Sequence, residues 1–160
     1  MSSKKSSGSS STWDTLEPIV TFAGKWAWIY GIIAGVIYII TAILSIRAVN
    51  IAKEWWSLYG VGPYTGPGYG VAVWQFINAA VLIVVSILWV RPKFSVPCGE
   101  KEWEKLLSDV LVLGNVQIPW MLIMGVLLEI FGYGWGGLVV LVCALLIIFL
   151  GPRKFEWNVK

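Results

Sequence analysis

Residues 26–46 read WAWIYGIIAGVIYIITAILSI, a run of 21 residues without a charged side chain. A helix of this length rises by about 30 Å, which matches the thickness of the hydrocarbon core of a bilayer. Charge-free apolar runs of roughly 18 or more residues are typical of membrane-spanning helices. The stretch therefore predicts that the chain crosses a membrane here.

Three further apolar segments follow the first one. Residues 71–90 form a run of 20 residues without a charge, residues 110–128 form a third run, and residues 137–150 form a shorter one that we extend back to about residue 135. A spanning helix needs about 20 residues, within a range of about 17 to 25. We therefore expect an all-α integral membrane protein, an up-down-up-down bundle of four transmembrane helices over about 26–46, 71–90, 110–128 and 135–150.

The overall composition agrees with a membrane protein and removes several classes of site. The 160 residues are 58% hydrophobic and 13% charged, whereas a soluble domain is about half apolar and about a quarter charged. The chain has no His, which excludes His-ligated haem and zinc as well as a Ser-His-Asp triad. We expect no catalytic, cofactor-binding or metal-binding residues, and hence no enzyme.

The cysteines and the net charge add two further expectations. Cys98 and Cys143 are far apart in the sequence and lack a CxxC spacing, which favours two unpaired thiols. The net charge is only +3, with no dense basic stripe of the kind that binds nucleic acid. We expect no nucleic-acid partner.

The basic residues predict the orientation of the bundle. With four crossings, ten of the 12 Lys and Arg residues share one side with both tails and residues 91–109, and only Arg47 and Lys53 lie on the other side. Such asymmetry is the positive-inside signal. We expect the N- and C-termini to be cytoplasmic, in a plasma or an internal membrane.

The tryptophans support the positions of the membrane boundaries. Nine of the 11 tryptophans lie within a few residues of the end of a predicted span. Indole rings favour the headgroup level of a bilayer and form an aromatic belt there.

The predicted domain organisation has three parts. Residues 1–25 begin with a Ser/Gly/Lys-rich stretch and are expected to be a disordered cytoplasmic tail. Residues 26–151 form the transmembrane domain, and residues 152–160 form a second cytoplasmic tail. The similar endings at 89–94 and 150–155 suggest either a tandem duplication of helical hairpins or convergence on a basic stop after each hairpin.

The first span carries a motif for close helix packing. Gly31 and Gly35 form a G-x-x-x-G pattern, and small residues let helix backbones approach closely in lipid. We expect these glycines to pack against another helix of the same chain or against another subunit.

Six residues of the later segments are candidates for a polar path between spans 2 and 3, or for a subunit contact: Gln75, Asn78, Asn115, Gln117, Pro119 and Glu129. Amides in lipid form hydrogen bonds between helices, which is the simpler interpretation. Pro119 is expected to kink the third helix. Glu129 lies near a boundary, where it either handles ions or protons or is solvated by headgroups.

These features favour a non-catalytic function. The leading hypothesis is a scaffold or an accessory subunit that assembles with itself or with other membrane proteins in the lipid bilayer. The alternative is a small channel or secondary transporter that uses the polar path.

Overall fold

The computed structural model describes residues 9–60 and 62–158. The chain is mostly helical, at 75%, and it contains six α-helices, one π-helical segment and one β-hairpin within those residues. The all-α expectation therefore holds apart from the hairpin. Two helical stretches, Thr12–Tyr59 and Gly70–Gly99, are long and apolar enough to cross a membrane.

Helix α1 runs from Ser9 to Tyr59. Its 51 residues give a length of about 76 Å, more than twice the hydrocarbon core of a bilayer. The disordered tail expected through residue 25 is therefore corrected from residue 9 onward, because Trp13 and Val20 are buried and hold this part of the helix against the rest of the chain. Residues 1–8 lie outside the described residues.

A second long helix runs antiparallel to α1. Helix α2 (Gly70–Val85) continues without a break into a π-helical segment (Ser86–Ser95) and then into α3 (Val96–Gly99). Pro92 lies inside the π-helical segment, where the proline ring would clash with a carbonyl in an ordinary α-helical turn. The wider π turn is one way in which a helix can accommodate such a residue.

Residues 110–119 form a β-hairpin where the sequence predicted the start of the third spanning helix. Strand β1 (Val110–Leu113) pairs antiparallel with β2 (Val116–Pro119). Gly114 has a φ of +62° and stands first in the two-residue loop, as type II′ hairpin turns require. The predicted helix over 110–128 is thus wrong in its first ten residues.

The last two helices form a short antiparallel pair. Helix α5 (Trp120–Phe131) has 12 residues and α6 (Leu138–Leu150) has 13. The two helices cross closely at Gly125, where an added Cβ would stand 3.0 Å from the Leu141 Cα. Each helix is only about 18–20 Å long.

A group of elements packs together at the end of the two long helices near residue 25, and we call it the basic end. It comprises the beginning of α1, the end of the π-helical segment, α3, helix α4 (Trp103–Ser108), the hairpin and the C-terminal stretch 151–158. The Trp13 and Trp103 rings pack edge to face, with their centroids 5.3 Å apart. The Gln117 N–H donates to the Trp157 carbonyl at 2.7 Å, which joins the C-terminal stretch to the hairpin.

Four ion pairs connect the elements of the basic end: Lys93–Asp109, Lys101–Glu17, Lys105–Glu102 and Arg153–Glu104. All four are at least partly exposed, so each contributes little to stability. The 2.8 Å hydrogen bond that Lys105 donates to Glu102 raises the pKa of the Lys105 ammonium. Of these four pairs, Lys101–Glu17 reaches α1, whereas Lys105–Glu102 lies within three residues at α4.

Candidate functional site

Gly31 and Gly35 lie at close contacts between α1 and the second long helix. A Cβ added to Gly31 would overlap the Ser86 hydroxyl, and one added to Gly35 would stand 2.6 Å from the Ile83 Cγ1. Both glycines are buried within the chain. The face that carries the motif is covered by α2 and the π-helical segment.

Gln75 joins the same two helices one step further along. The Ser45 hydroxyl shares its single proton between two acceptors, the Thr41 carbonyl oxygen at 2.8 Å and the Gln75 Oε1 at 3.1 Å. The pair connects α1 to α2 near the beginning of α2. This arrangement is a hydrogen bond between helices, the structural role that amides commonly have in lipid.

Asn78 is completely buried, and its side-chain amide has no hydrogen-bond partner among the described residues. One turn before it, the Trp74 indole N–H donates to the Tyr133 hydroxyl at 2.6 Å. One turn after it, Leu82 contacts Gly136. Residues four apart share a helix face, so Asn78 faces the connection between α5 and α6.

Glu129 borders the same connection from the side of α5. Both of its carboxylate oxygens are buried and make no hydrogen bond within the part of the chain that the structure describes. In the turn after α5, the backbone is in the left-handed region at Tyr133 and Gly134, with φ of +47° and +84°. A Cβ added to Gly134 would lie 3.9 Å from the Glu129 Oε2. A buried carboxyl without a partner is costly, which makes this position a candidate for function.

The structure places the other three candidates at the basic end. Asn115 lies in the hairpin turn and Gln117 in β2, so neither lies on a helix. Pro119 ends β2 and immediately precedes α5. It therefore kinks no helix, and this prediction is corrected. Pro119 instead stands where strand β2 ends and α5 begins, a position that needs no N–H from its nitrogen.

The six candidate residues thus form two separate groups. Gln75, Asn78 and Glu129 lie near the α5–α6 connection, and Asn115, Gln117 and Pro119 lie at the opposite end of α5. The side chains that α5 buries between the two groups are apolar: Met121, Met124 and Leu128. Nothing polar on α5 links the two groups.

Three features of the site were missed in the sequence. Ser86 and Ser95 are 0% and 2% exposed, and their hydroxyls have no partner among residues 9–60 and 62–158. Tyr133 accepts the hydrogen bond from Trp74. A serine inside an apolar run such as 71–90 is the signal that could have indicated Ser86, whereas nothing local indicates the other two.

Comparisons of this chain with known protein families, with curated proteins and with solved structures find no match. In the described part of the chain, no three Cys, Asp or Glu side chains cluster closely enough to hold a metal ion.

Proposed function

We propose that the chain is an integral membrane protein of four membrane-crossing segments with both termini cytoplasmic. In this proposal it acts without catalysis, as a scaffold or an accessory subunit of a homo-oligomer or a larger membrane complex. The proposed membrane location is supported by the exposure of the apolar side chains on the two long helices. In the most apolar 18-residue stretch of Thr12–Tyr59, only 17% is buried within the protein. In the corresponding stretch of Gly70–Gly99, only 28% is buried.

This exposure argues against a soluble protein. A helix in the core of a soluble protein hides most of its apolar residues, whereas α1 leaves Ile33, Ile37, Ile40 and Leu44 each about half exposed or more. Soluble monomers rarely expose contiguous apolar patches larger than a few hundred Å². A surrounding bilayer would cover this surface at no cost in apolar hydration.

The two short helices need their flanking residues to complete a crossing. Helices α5 and α6 are each about 18–20 Å long, which is less than the hydrocarbon core of about 30 Å. Strand β2 precedes α5, and Trp135, which is 71% exposed, lies in the connection to α6. The proposal places these residues at the two interfaces, with local thinning of the bilayer taking up the remaining mismatch.

The scaffold function is supported by how the polar groups are distributed. A channel or transporter would need its polar residues along one path, but the six candidates lie in two groups with apolar side chains of α5 between them. At the basic end, by contrast, α1, α4, the hairpin and the C-terminal stretch form a folded surface beyond the apolar helices. Such a surface is suited to contacts with other proteins.

Single cysteines introduced into a background without Cys98 and Cys143 test the topology. The substitutions Gly68→Cys and Gly134→Cys lie in the two connections on one side, and Ser108→Cys lies at the basic end. Four crossings predict that an impermeant maleimide labels the first two from outside intact cells and labels the third only after permeabilisation. Labelling of Gly68→Cys and Gly134→Cys from opposite sides would contradict the proposal.

Purification in mild detergent, followed by reconstitution, tests the function. We expect the chain to elute as a fixed oligomer or with other membrane chains, and we expect liposomes that contain it to leak ions no faster than empty ones. Ion or proton flux that is abolished by Glu129→Gln but kept by Glu104→Gln would replace the scaffold with the transporter.

A further inference from the structure

An open cavity of about 380 Å³ lies at the basic end, between α1 and the end of the π-helical segment. Its volume falls within the range of ligand sites in proteins, about 300–1,000 Å³. Two of the residues that line it are charged residues that flank the two long charge-free runs. Lys25 directly precedes the charge-free run 26–46, and Arg91 directly follows the charge-free run 71–90. Because the two helices are antiparallel, both cations lie where the apolar segments end.

Within the described part of the chain, neither cation forms an ion pair with a carboxylate. The Lys25 Nζ lies 5.8 Å from the centre of the Trp26 ring, and the Arg91 Cζ lies 4.9 Å from that of Trp28. Their hydrogen-bond donors are therefore free for a ligand, while the indole faces hold the two charges in place. By contrast, four other basic residues of this end each pair with a carboxylate: Lys93, Lys101, Lys105 and Arg153.

Ser95 also lines the cavity, and its hydroxyl is a third hydrogen-bond donor. Ser95 is 2% exposed, and its hydroxyl has no hydrogen-bond partner among the described residues. A buried hydroxyl without a partner costs free energy. A ligand oxygen in the cavity would supply the missing partner.

Close packing between α1 and α3 brings these groups together. A Cβ added to Gly24 would stand only 2.7 Å from the Cys98 Sγ, so the Cys98 side chain packs directly against the backbone of α1. The aliphatic stem of Lys25 passes over Gly99, where an added Cβ would lie 3.4 Å from the Lys25 Cγ. The close contact at Gly24 thus places the neighbouring Lys25 beside Gly99, and both residues line the cavity with Arg91.

We propose that this cavity binds the phosphate group of an anionic membrane phospholipid, an inference that rests on the membrane location proposed above. Arginine and lysine both bind phosphate, and arginine presents a fork of donors to its oxygens. One carboxylate, that of Glu100, also lines the cavity, so the two cations leave an excess of one positive charge. This excess favours an anionic headgroup over a neutral one.

The surface next to the cavity favours a lipid over a free anion. Trp26, Ile33 and Ile37 share one face of α1 at helical spacing, and they are 46%, 53% and 54% exposed. An acyl chain that extends from the bound phosphate toward the membrane centre would cover this face. A free phosphate would leave it open.

Native mass spectrometry of the purified full chain in detergent, with added phosphatidylglycerol or phosphatidylcholine, tests the site. We expect preferential retention of phosphatidylglycerol. The double variant Lys25→Gln, Arg91→Gln should weaken its binding by about tenfold or more, because two charge-assisted hydrogen-bond donors are lost. The control Arg153→Gln removes one charge outside the cavity and should change binding less than twofold, and Glu100→Gln should strengthen it.

Equal binding of phosphatidylglycerol by the wild type and the double variant would overturn the site. The milder Ser95→Ala variant, which also should weaken binding, keeps the test decisive if the double variant does not fold. Inorganic phosphate that binds as tightly as phosphatidylglycerol would overturn the lipid as the source of the phosphate.

The test also separates this inference from the proposed function. A chain that carbonate washes release from membranes would contradict the membrane location itself. A chain that stays in washed membranes but shows no preference for phosphatidylglycerol would contradict only the headgroup site.

Discussion

Gly31 of α1 lies directly against Ser86, the first residue of the π-helical segment, with no room for a methyl group between them. The contact couples two features that are far apart in the sequence: a small residue that lets the backbones approach and a buried hydroxyl without a partner. It is the clearest point at which the packing of the two long helices can be tested.

Gly31→Ala should destabilise the fold by about 1–3 kcal/mol, because the added methyl overpacks the contact between the helices. The double variant Gly31→Ala, Ser86→Ala should recover part of this loss, because it removes the hydroxyl that the methyl would overlap. Thermal unfolding in detergent measures both. Gly68→Ala is the control, because nothing lies within 4 Å of an added Cβ there. Equal destabilisation by the single and the double variant would contradict the contact.

Glu129→Leu should stabilise the fold by about 1–3 kcal/mol, because it replaces a buried carboxyl that has no partner with an apolar side chain. The matched control is Glu104→Leu, whose carboxylate is exposed and pairs with Arg153; it should change stability by no more than about 1 kcal/mol. Both are compared by their unfolding midpoints. A clear loss of stability in Glu129→Leu would mean that the carboxyl binds a proton or an ion that the fold depends on.

The hydrogen bond from Trp74 to Tyr133 should couple α2 to the α5–α6 connection. We expect a double-mutant cycle of Trp74→Phe and Tyr133→Phe to give a coupling free energy of about 0.5–1.5 kcal/mol. Trp89→Phe is a suitable comparison, because the Trp89 indole N–H makes no hydrogen bond within the described residues. Strictly additive losses for the Trp74 and Tyr133 variants would show that the bond does not contribute.

Both native thiols should resist labelling in the folded protein. Cys98 and Cys143 are 0% and 3% exposed, so a maleimide should react with them only after unfolding in sodium dodecyl sulfate. Gly24→Leu should speed the labelling of Cys98, because the larger side chain overlaps the thiol and forces the helices apart. The mass of the intact protein measures how many thiols have reacted. Rapid reaction of the wild-type chain would show that the contact between α1 and α3 opens readily.

The positions of the two long helices could be predicted because a charge-free run is a local property of the sequence. The run over 26–46 lies inside α1, and the run over 71–90 lies inside Gly70–Gly99. In both cases the structure extends the helix well past the run. The extension at the N-terminus depends on Trp13 packing against Trp103, a contact that no local pattern in residues 9–25 reveals.

The third segment shows where hydropathy alone is misleading. Residues 110–128 are apolar almost throughout, but a short apolar run fits a strand as well as a helix. Gly114 and Asn115 stand between VLVL at 110–113 and VQIP at 116–119, and a Gly-Asn pair between two such short stretches is the signal of a two-residue hairpin loop. That signal was present in the sequence, and it outweighs the continuity of the apolar run because Gly114 adopts a positive φ at no steric cost.

The sequence by itself determined that this chain is mostly helical and contains two apolar helices long enough to span a membrane, because length and hydropathy are additive along the chain. Only the tertiary structure decided which side chains meet. It separated Asn115 and Gln117 from Glu129, and it brought Lys25 and Arg91 to one cavity. Such pairings depend on the register of antiparallel helices, which is set by close contacts such as Gly24 with Cys98 rather than by any local pattern.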